Sequence, residues 1–484
     1  MLFNSIDFAI FLPVVFSLYW FVVHKNLRLQ NVLLVLASYL FYGWWDWKFL
    51  SLIIVSTLVD YSVGILLARE KIQRNRKILL WVSLFVNIGL LGFFKYFNFF
   101  VENFVAAFTL FGAKINPSSL NIILPVGISF YTFQTLSYTI DVYKRKIEPT
   151  RDLIAFAAFV SFFPQLVAGP IERAANLLPQ FLAKRSFEYK SAVDGLRQIL
   201  WGLFKKIVIA DNSAEFADYI FSNSDDLHGS TLVLGALFFT FQIYGDFSGY
   251  SDIAIGTARL FGFNLMQNFA HPYFSRDIAE FWRRWHISLS TWFRDYLYIP
   301  LGGSRVARGK VVRNVFIIFI VSGLWHGANW TFIIWGLLNA IYFLPLLLSG
   351  RNRNFLGVVA QGKSLPTMKE FILMSSTFGL TVFAWIFFRA ESLVHAMNYL
   401  SGMVSPTILS VPDIDGKREM LLRIVIIIVF MVVEWFGRDQ KYAIEEIGEK
   451  MSRSMRWLCY FFIVLVIYFF GNTSKSIEFI YFQF

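Results

Sequence analysis

Long apolar segments, separated by short charged loops, constrain the fold of this chain more than any other feature. Hydrophobic residues fill 57% of its 484 positions, among them 56 Phe, 21 Tyr and 15 Trp. A helix that crosses the hydrocarbon core of a membrane needs about 20 largely apolar residues. About ten to twelve segments approach that length, the first near residues 7–23 and the last near residues 456–470. We therefore expect an all-α, polytopic integral membrane protein.

Basic residues are placed as they are in membrane proteins. The net charge is +12, and Lys and Arg are concentrated in the loops between apolar segments. This is the positive-inside distribution, which explains the charge without a nucleic-acid partner. The cluster at residues 69–77 is the strongest cytoplasmic marker, and counting spans from it predicts that the N-terminus and the C-terminus are both extracytoplasmic. We expect a multi-pass protein that contacts membrane lipid and no nucleic acid.

Two regions are too polar to cross a membrane and too apolar to be free linkers. They are residues 163–206 and 264–310, and we expect interfacial or re-entrant helices there. No internal repeat divides the chain, so a single membrane domain is expected over residues 1–484, ending in a tail at residues 471–484. The single cysteine, Cys459, cannot form an intramolecular disulfide, and no metal or nucleotide motif is recognisable. We therefore expect no metal site.

Two of the six histidines lie in segments with unusual chemistry. His286 lies in FWRRWHISLSTWFRDYLYIPLGG, and His326 lies in SGLWHGANWTF. A neutral imidazole can accept a proton from a hydroxyl near pH 7, and burial favours this neutral form. The pair is therefore a candidate acid–base site. The alternatives are an interfacial side chain at His286 and a hydrogen-bonded structural histidine at His326.

His326 also lies within an apolar run that is too long for one straight span. Residues 315–348 would extend roughly 50 Å as a continuous helix, against a hydrocarbon core of about 30 Å. The run must therefore tilt or break. Four residues near the histidine could allow the helix to break or form hydrogen bonds with the backbone groups that a break exposes: Ser322, Gly323, Gly327 and Asn329. An ionisable side chain within such a run is a functional hypothesis by default.

The two histidine segments resemble the histidine motifs of the membrane-bound O-acyltransferases, in particular the bacterial branch that O-acetylates exported polysaccharides. Three other segments are similar to that branch in the same order: VGISFYTFQTLSYTIDVY at 126–143, FFPQLVAGPIER at 162–173 and FQIYGDFSGYSDIAIG at 241–256. The resemblance covers essentially the whole chain. It implies the fold of the family, in which tilted helices surround a central funnel, and a place in the bacterial inner membrane.

The resemblance also implies roles for the two histidines in an acyl transfer. A hydroxyl is a poor nucleophile near neutral pH, so a base must remove its proton as it attacks an acyl carbon. His326 is implied as this base, and His286 as its partner in the same tunnel. His286 could orient the acceptor, protonate a leaving thiolate or stabilise developing charge, and the sequence leaves these three roles open. Further tunnel-lining candidates, for which core packing is the alternative, are Trp285, Ser322, Trp325 and Asn329.

The implied acyl donor is a cytoplasmic thioester, with acetyl-CoA as the first candidate, and no cofactor is expected to stay bound. Lys205 and Lys206 could meet the phosphates of such a donor, or they could be ordinary positive-inside charges. Transfer of D-alanyl or another acyl group from a carrier protein is the alternative within the same enzyme class. A non-enzymatic membrane transporter is a more remote alternative.

The last six residues, Phe479 to Phe484, spell F-x-Y-x-x-F. This resembles the carboxyl-terminal motif of a small membrane peptide that works beside the teichoic-acid D-alanylating member of the family. The resemblance implies that Tyr481 accepts the acyl group and passes it to an extracytoplasmic partner, an SGNH-type acetyltransferase or esterase with a Ser-His-Asp site. That partner would modify an exported polysaccharide such as alginate or peptidoglycan. An aromatic anchor at the membrane surface is the alternative interpretation of the tail.

Overall fold

Helices make up all the regular secondary structure of the described residues, which confirms the all-α class. The computed structural model describes residues 1–110, 120, 122–167, 169–471 and 479–480. The α-helices, numbered along the chain, are α1 Ile6–Ser17, α2 Leu27–Asp46, α3 Leu50–Arg69, α4 Gln73–Leu91, α5 Phe97–Leu110, α6 Ile128–Tyr143, α7 Leu153–Ser161, α8 Phe163–Leu166, α9 Ala174–Leu182, α10 Tyr189–Leu203, α11 Asp211–Ser222, α12 Gly229–Leu260, α13 Ile278–Arg284, α14 Ile287–Phe293, α15 Arg308–His326, α16 Trp330–Leu348, α17 Met368–Arg389, α18 Leu393–Met403, α19 Lys417–Phe436, α20 Ile447–Lys450 and α21 Arg453–Phe470.

Polar side chains set the starts of several helices. The side chain of Asn26 accepts hydrogen bonds from the first backbone N–H groups of α2. At the start of α17, Thr367 and Glu370 form a reciprocal capping box. Such caps satisfy backbone donors that have no partner within the helix, and they are worth about 1 kcal/mol each. They explain why long apolar runs begin as helices at defined residues.

Seven segments of the described residues are long and apolar enough to cross a membrane, and the chain is a multi-pass membrane protein. These segments are Leu27–Arg69, Gln73–Thr109, Gly229–Leu260, Arg308–His326, Trp330–Leu348, Met368–Arg389 and Arg453–Phe470. The first contains two helices of 20 residues each, α2 and α3. The number is below the ten to twelve expected because helices such as α6, with 16 residues, and α19, which is charged at both ends, do not qualify by length and composition.

The two polar regions expected to lie outside the spans contain only short helices. Residues 163–206 form α8, α9 and α10, the longest of which has 15 residues. Within residues 264–310, α13 and α14 have seven residues each. None of these helices could cross a membrane alone, so both regions have the short-helix character that was expected.

The chain divides into two compact units. The first comprises Met1–Val193 and Thr257–Met266, and the second comprises Asp194–Gly256 and Gln267–Phe484. The expectation of a single membrane domain over residues 1–484 stays a prediction. Both histidines of interest lie in the second unit.

In the first unit, a buried carboxylate joins three helices. Asp60 on α3 accepts hydrogen bonds from Ser83 and Asn87 on α4 and from Thr139 on α6. All four residues are buried. A buried polar group is tolerated only when it is hydrogen-bonded, so this cluster fixes how α3, α4 and α6 pack.

In the second unit, α12 lies directly against the end of α10 and the π-helical segment Phe204–Ala210. A Cβ atom on Gly249 would lie only 2.8 Å from the carbonyl oxygen of Gly202, and one on Gly245 would lie 2.9 Å from that of Lys205. Glycine is required at both places because two backbones approach each other with no room for a side chain. This close approach brings the polar side chains of α12 next to those of the π-helical segment.

Candidate active site

Helices α15 and α16 form an antiparallel hairpin with His326 at its turn. At the open end, the guanidinium of Arg308 donates to the carbonyl of Leu348. Near the turn, a Cβ atom on Gly323 would lie 2.3 Å from the carbonyl oxygen of Phe332. The apolar run therefore breaks, as one of the two expected outcomes. Each arm has 19 residues and is roughly 28 Å long, so His326 lies at the end of an arm.

The protonation pattern of His326 follows from its own helix. Its Nδ1 lies 2.6 Å from the carbonyl oxygen of Ser322, one turn earlier. Because a carbonyl can only accept, Nδ1 must carry the proton, and the neutral ring has its lone pair on Nε2. His326 is 3% exposed. It is therefore a buried imidazole whose basic atom is fixed as Nε2.

Aromatic rings enclose His326. The centroid of its ring lies 4.9 Å from that of Trp325, 4.9 Å from that of Trp335 and 5.4 Å from that of Phe388. All three rings meet the imidazole at steep angles, between 72° and 87°. Such packing excludes water and strengthens electrostatic interactions at the imidazole.

His286 has an unusual backbone conformation. It caps the start of α14 with φ of 44° and ψ of 54°, in the left-handed region. A non-glycine residue in that region costs of order 1–3 kcal/mol and persists only where the surroundings impose it. His286 is also fully buried. Strain of this kind is concentrated at functional sites, which makes the residue a stronger candidate than its sequence alone.

A network of side chains fixes the ring of His286. Its Nδ1 lies 3.1 Å from Oδ1 of Asn268, which also accepts from the backbone N–H of Ser288 at 3.2 Å and from its hydroxyl at 2.9 Å. The Asn268 amide donates in turn to the hydroxyl of Ser251 at 3.1 Å. The backbone donor identifies this Asn268 atom as oxygen, so Nδ1 of His286 is the donor. The lone pair of the neutral ring is again on Nε2.

Trp325 contacts both histidines. Its ring centroid is 6.0 Å from that of His286 and 4.9 Å from that of His326. The two separations limit the distance between the imidazoles to about 11 Å. Burial lowers the pKa of His286 well below its usual range, and the charge that His326 would carry adds to the shift. The arrangement thus holds two imidazoles close together, and His286 is kept neutral.

Comparisons with known proteins show the family of the chain. The sequence profile described as MBOAT, membrane-bound O-acyltransferase family, matches residues 143–382. A probable alginate O-acetylase of Azotobacter vinelandii is 40% identical over 448 residues, which cover 92% of this chain and 86% of that protein. A peptidoglycan O-acetyltransferase of Helicobacter pylori is 39% identical over 434 residues, covering 84% of this chain and 80% of that protein. The chain belongs to the membrane-bound O-acyltransferase family.

Membership identifies the chain as an O-acyltransferase. A teichoic acid D-alanyltransferase of Bacillus subtilis is a more distant relative, 28% identical over 232 residues that cover 46% of this chain and 58% of that protein. The segments that carry both histidines, His286 and His326, lie inside the range matched by the family profile. The two imidazoles are therefore brought together within the part of this O-acyltransferase that matches its family.

The four other residues expected near the tunnel have different surroundings. Trp285 is buried among aromatic rings, 5.1 Å from Trp385 and 5.6 Å from Phe281 between centroids. Asn329 caps α16 by accepting from the N–H of Thr331, and its amide donates to the carbonyl of Glu391 at 2.8 Å. Both side chains therefore have structural partners, and their role in a tunnel stays a prediction.

Ser322 and Trp325 are placed closer to the chemistry. Ser322 supplies the carbonyl that fixes the ring of His326, and it also lines a cavity. The ring of Trp325 contacts both imidazoles. Tyr481 lies outside the described residues, so its role stays a prediction. In the described part of the chain, no group of three His, Cys, Asp or Glu residues is arranged to hold a metal ion.

Lys205 and Lys206 are not at the surface, so the expectation that they meet donor phosphates or act as exposed positive-inside charges is wrong. They are 3% and 0% exposed. Lys205 pairs with Asp252, and Lys206 pairs with Asp246 at 2.8 Å. The π-helical segment turns both side chains into the protein, where carboxylates of α12 neutralise them.

Two buried polar groups in the second unit were not predicted from the sequence. Asn268 controls the ring of His286 but lies 18 residues earlier, in a segment without periodic structure. His271 lies 2.7 Å from the carboxylate of Glu434, which also accepts from Tyr244 at 2.7 Å and from Trp201 at 3.1 Å. The left-handed backbone of His271 cannot be read from its sequence context, N-F-A-H-P-Y-F.

A cavity of about 430 Å³ follows the hairpin towards His326. Its walls come mainly from apolar and aromatic residues of α14, α15 and α16. Ser322, one helical turn from His326, lies at its deep end, and the exposed residues Arg294 and Arg353 line its outer part. The cavity therefore combines an apolar interior with cationic groups towards solvent.

Proposed function

We propose that this enzyme takes an acetyl group from a cytoplasmic thioester, with acetyl-CoA as the first candidate, and transfers it through Tyr481 to an extracytoplasmic partner. The partner would acetylate an exported polysaccharide such as alginate or peptidoglycan, the polymers named for the two similar relatives. The observation that carries the proposal is the pair of buried imidazoles, both with Nδ1 engaged and the lone pair on Nε2. The enzyme would lie in the bacterial inner membrane.

The proposed first transfer uses one base and no external reagent. Nε2 of His326 takes the proton of the Tyr481 hydroxyl as the phenolic oxygen bonds to the thioester carbon. The carbon–sulfur bond then breaks, and the leaving thiolate takes the proton from His326. The products are an acetylated tyrosine and a free thiol. His286 is neutral before the reaction, which favours roles in orientation or charge stabilisation over proton donation to the thiolate.

The second proposed transfer regenerates the tyrosine. A serine hydroxyl of an SGNH-type partner would attack the phenyl ester, take the acetyl group and return a proton to Tyr481. The partner would then pass the acetyl group to a polysaccharide hydroxyl. Splitting the transfer in this way lets the thioester stay on the cytoplasmic side while the polymer is modified on the other.

The cavity along the hairpin suits such a donor. Basic residues flank the open end of the hairpin, in RVARGKVVR at 305–313 before α15 and in RNR at 351–353 after α16. This placement supports a cytoplasmic position for the open end. Phosphates of the donor would pair with Arg294 and Arg353, while the apolar walls would take the thioester arm. Arg353→Ala should raise the KM for acetyl-CoA several-fold with little change in kcat. Arg351→Ala, which removes the same charge outside the cavity lining, is the matched control.

The decisive experiment measures thioester turnover by the purified full-length protein in lipid nanodiscs. His326→Gln should reduce turnover by about 10²–10⁴-fold, the usual contribution of a positioned base, while monodispersity and thermal unfolding stay close to wild type. Full turnover in that variant would exclude His326 as the base. Mass spectrometry of the C-terminal peptide tests the carrier role, because Tyr481→Phe should remove both the acetyl adduct and polymer acetylation.

A carrier-protein donor is the second candidate, favoured by the similarity to the teichoic acid D-alanyltransferase. The two donors can be distinguished by offering acetyl-CoA or an acylated carrier protein at equal concentration. If the enzyme uses the acylated carrier protein and not acetyl-CoA, the carrier protein replaces acetyl-CoA as the proposed donor, and the role of His326 is unchanged. Absence of turnover with either thioester would favour a non-enzymatic transporter.

A further inference from the structure

The C-terminal tail returns to the buried interior beside an ion pair. Phe479 and Ile480 are 0% and 1% exposed. The backbone N–H of Ile480 donates to Oδ2 of Asp246 at 2.7 Å. The other oxygen of that carboxylate lies 2.8 Å from Nζ of Lys206. A backbone amide of the tail is therefore bound by a carboxylate that a buried lysine holds in place.

The charges at this point favour an additional donor. Lys206 pairs at 2.8 Å with Asp246 and also at 2.8 Å with Asp211. One cation is thus shared between two carboxylates in a buried environment. A carboxylate in such a place needs further hydrogen-bond donors, and hydrogen bonds to an ionised acceptor are among the stronger ones. The N–H of Ile480 meets that requirement.

Aromatic packing ties the same part of the tail to the histidine site. The ring of Phe479 lies 4.3 Å from that of Tyr250 and 5.9 Å from that of Phe247, measured between centroids. Phe247 also contacts His286, edge-on, with ring centroids 4.6 Å apart. The tail and His286 therefore both contact one phenylalanine.

The start of the tail is held by the same region. At the end of α21, the carbonyl of Phe470 accepts from the amide of Asn212 at 3.1 Å. That amide also donates to the carbonyl of Ile207, in the π-helical segment that contains Lys206. The first described end of the tail thus contacts Asn212, and the second contacts Asp246, whose carboxylate pairs with Lys206.

We propose that Lys206 and Asp246 form a docking clamp that holds the N–H of Ile480 and so fixes how deeply the C-terminal tail enters the site. Asp246 is a positioning residue in this proposal, because it binds Ile480 and acts on Tyr481 only through Ile480. Tyr481 follows Ile480 directly in the sequence. The catalytic consequence of the clamp rests on the proposed function of Tyr481, whereas the docking itself does not.

The chain contains a matched control for the clamp. Asp252 lies on the same helix, is also buried, pairs with Lys205 and accepts from Gln198 at 2.7 Å. It has no contact with the described part of the tail. Asp246→Asn and Asp252→Asn each remove one buried carboxylate from a lysine of the π-helical segment. Only Asp246→Asn changes the group that accepts the N–H of Ile480. On the tail side, Ile480→Pro deletes the N–H, and Ile480→Val keeps it.

The experiment compares these four variants as full-length proteins. Hydrogen exchange of the C-terminal peptide reports docking, and mass spectrometry of Tyr481 together with the donor KM reports catalysis. Asp246→Asn should speed exchange of the tail by roughly ten- to a hundred-fold, the worth of one charge-assisted hydrogen bond. Acetylation of Tyr481 should slow by a similar factor at unchanged donor KM. Asp252→Asn and Ile480→Val should leave tail exchange and Tyr481 acetylation near wild type.

The outcomes separate the clamp from the proposed function. Ile480→Pro should slow acetylation as much as Asp246→Asn, and the double variant should be no slower, because both changes break one interaction. Unchanged tail exchange in Asp246→Asn, or equal release of the tail by Asp252→Asn, would overturn the clamp. Release of the tail with polymer acetylation at the wild-type level would leave the clamp standing and refute the carrier role of Tyr481.

Discussion

Replacing Asn268 with aspartate should reveal which protonation state of His286 the enzyme needs. In the wild type, Oδ1 of Asn268 lies 3.1 Å from Nδ1 of His286, and burial keeps the pKa of the imidazole well below its usual range. Asn268→Asp preserves the shape and the acceptor but adds a negative charge at that distance. The donors that remain, the N–H and hydroxyl of Ser288, favour the ionised carboxylate.

The size of the effect follows from the distance. An opposite charge within about 4–6 Å raises the pKa of a cation by roughly 1–3 units, which is about 1.4–4 kcal/mol in favour of imidazolium. More of His286 is therefore protonated at any given pH. If the neutral ring is the active form, activity is lost as the pH falls through the raised pKa. The acid limb of the kcat/KM profile should then move to higher pH.

The assay is thioester turnover between pH 5 and 9 with Ser288→Ala as the control. That variant removes the hydroxyl that donates to the same Asn268 oxygen at 2.9 Å, without adding charge. It should lose about 1 kcal/mol of stability and keep its acid limb in place. An acid limb that stays in place in Asn268→Asp, with the protein folded, would refute the reasoning. Higher activity of Asn268→Asp at low pH would instead assign proton donation to His286.

Three further predictions concern stability, each measured by thermal unfolding in detergent. Gly323→Ala should lower the free energy of unfolding by about 1–3 kcal/mol because its Cβ would lie 2.3 Å from the carbonyl of Phe332. Gly379→Ala is the control: its Cβ would meet nothing within 4 Å, so the free energy of unfolding should rise by up to about 1 kcal/mol. Equal shifts in the two variants would contradict the hairpin packing. The pKa of His286 is lower in the folded than in the unfolded protein, so protons bind the unfolded state more readily. The contribution of His286 to the free energy of unfolding is therefore fully present above the unfolded pKa of about 6.5. It is lost as the pH falls below that value, by at most about 1.4 kcal/mol per pH unit. His286→Asn should remove this pH dependence of stability, since asparagine tolerates the left-handed backbone but does not titrate. A pH slope of stability that is the same in His286→Asn and the wild type would contradict the prediction. Asn329→Ala should lose about 1 kcal/mol with the cap of α16 and should also lose the hydrogen bond to the carbonyl of Glu391, while Asn329→Asp should keep the cap and lose only that hydrogen bond.

The features that could be predicted from the sequence depend on length and on angle. The all-α membrane class follows from apolar segments of spanning length. A tilt or a break near His326 follows because residues 315–348 are too long for one straight span, and the structure has the break. Six residues turn a helix through about 240°, which directs Asp246 and Asp252 to different sides of α12, and the two carboxylates pair with different lysines.

The features that could not be predicted depend on tertiary approach. A break does not fix the direction of the following helix, and the antiparallel return of α16 requires the contact of Gly323 with Phe332. The burial of Lys205 and Lys206 was not predicted because two of their counter-charges, Asp252 and Asp246, lie far along the chain on α12. Asn268 has no periodic context, so nothing in the sequence relates it to His286.

The two imidazoles are oriented by different kinds of hydrogen-bond partner. The kind of partner decides whether a substitution at the partner can change the protonation of the imidazole. His326 donates to a backbone carbonyl within its own helix, which every residue type at Ser322 would supply. His286 donates to the side chain of Asn268, whose charge and shape a substitution can change. A shift in the pH profile caused by Asn268 variants therefore reports on His286 alone. It separates the two histidines without altering either ring, which direct replacement of a histidine cannot do.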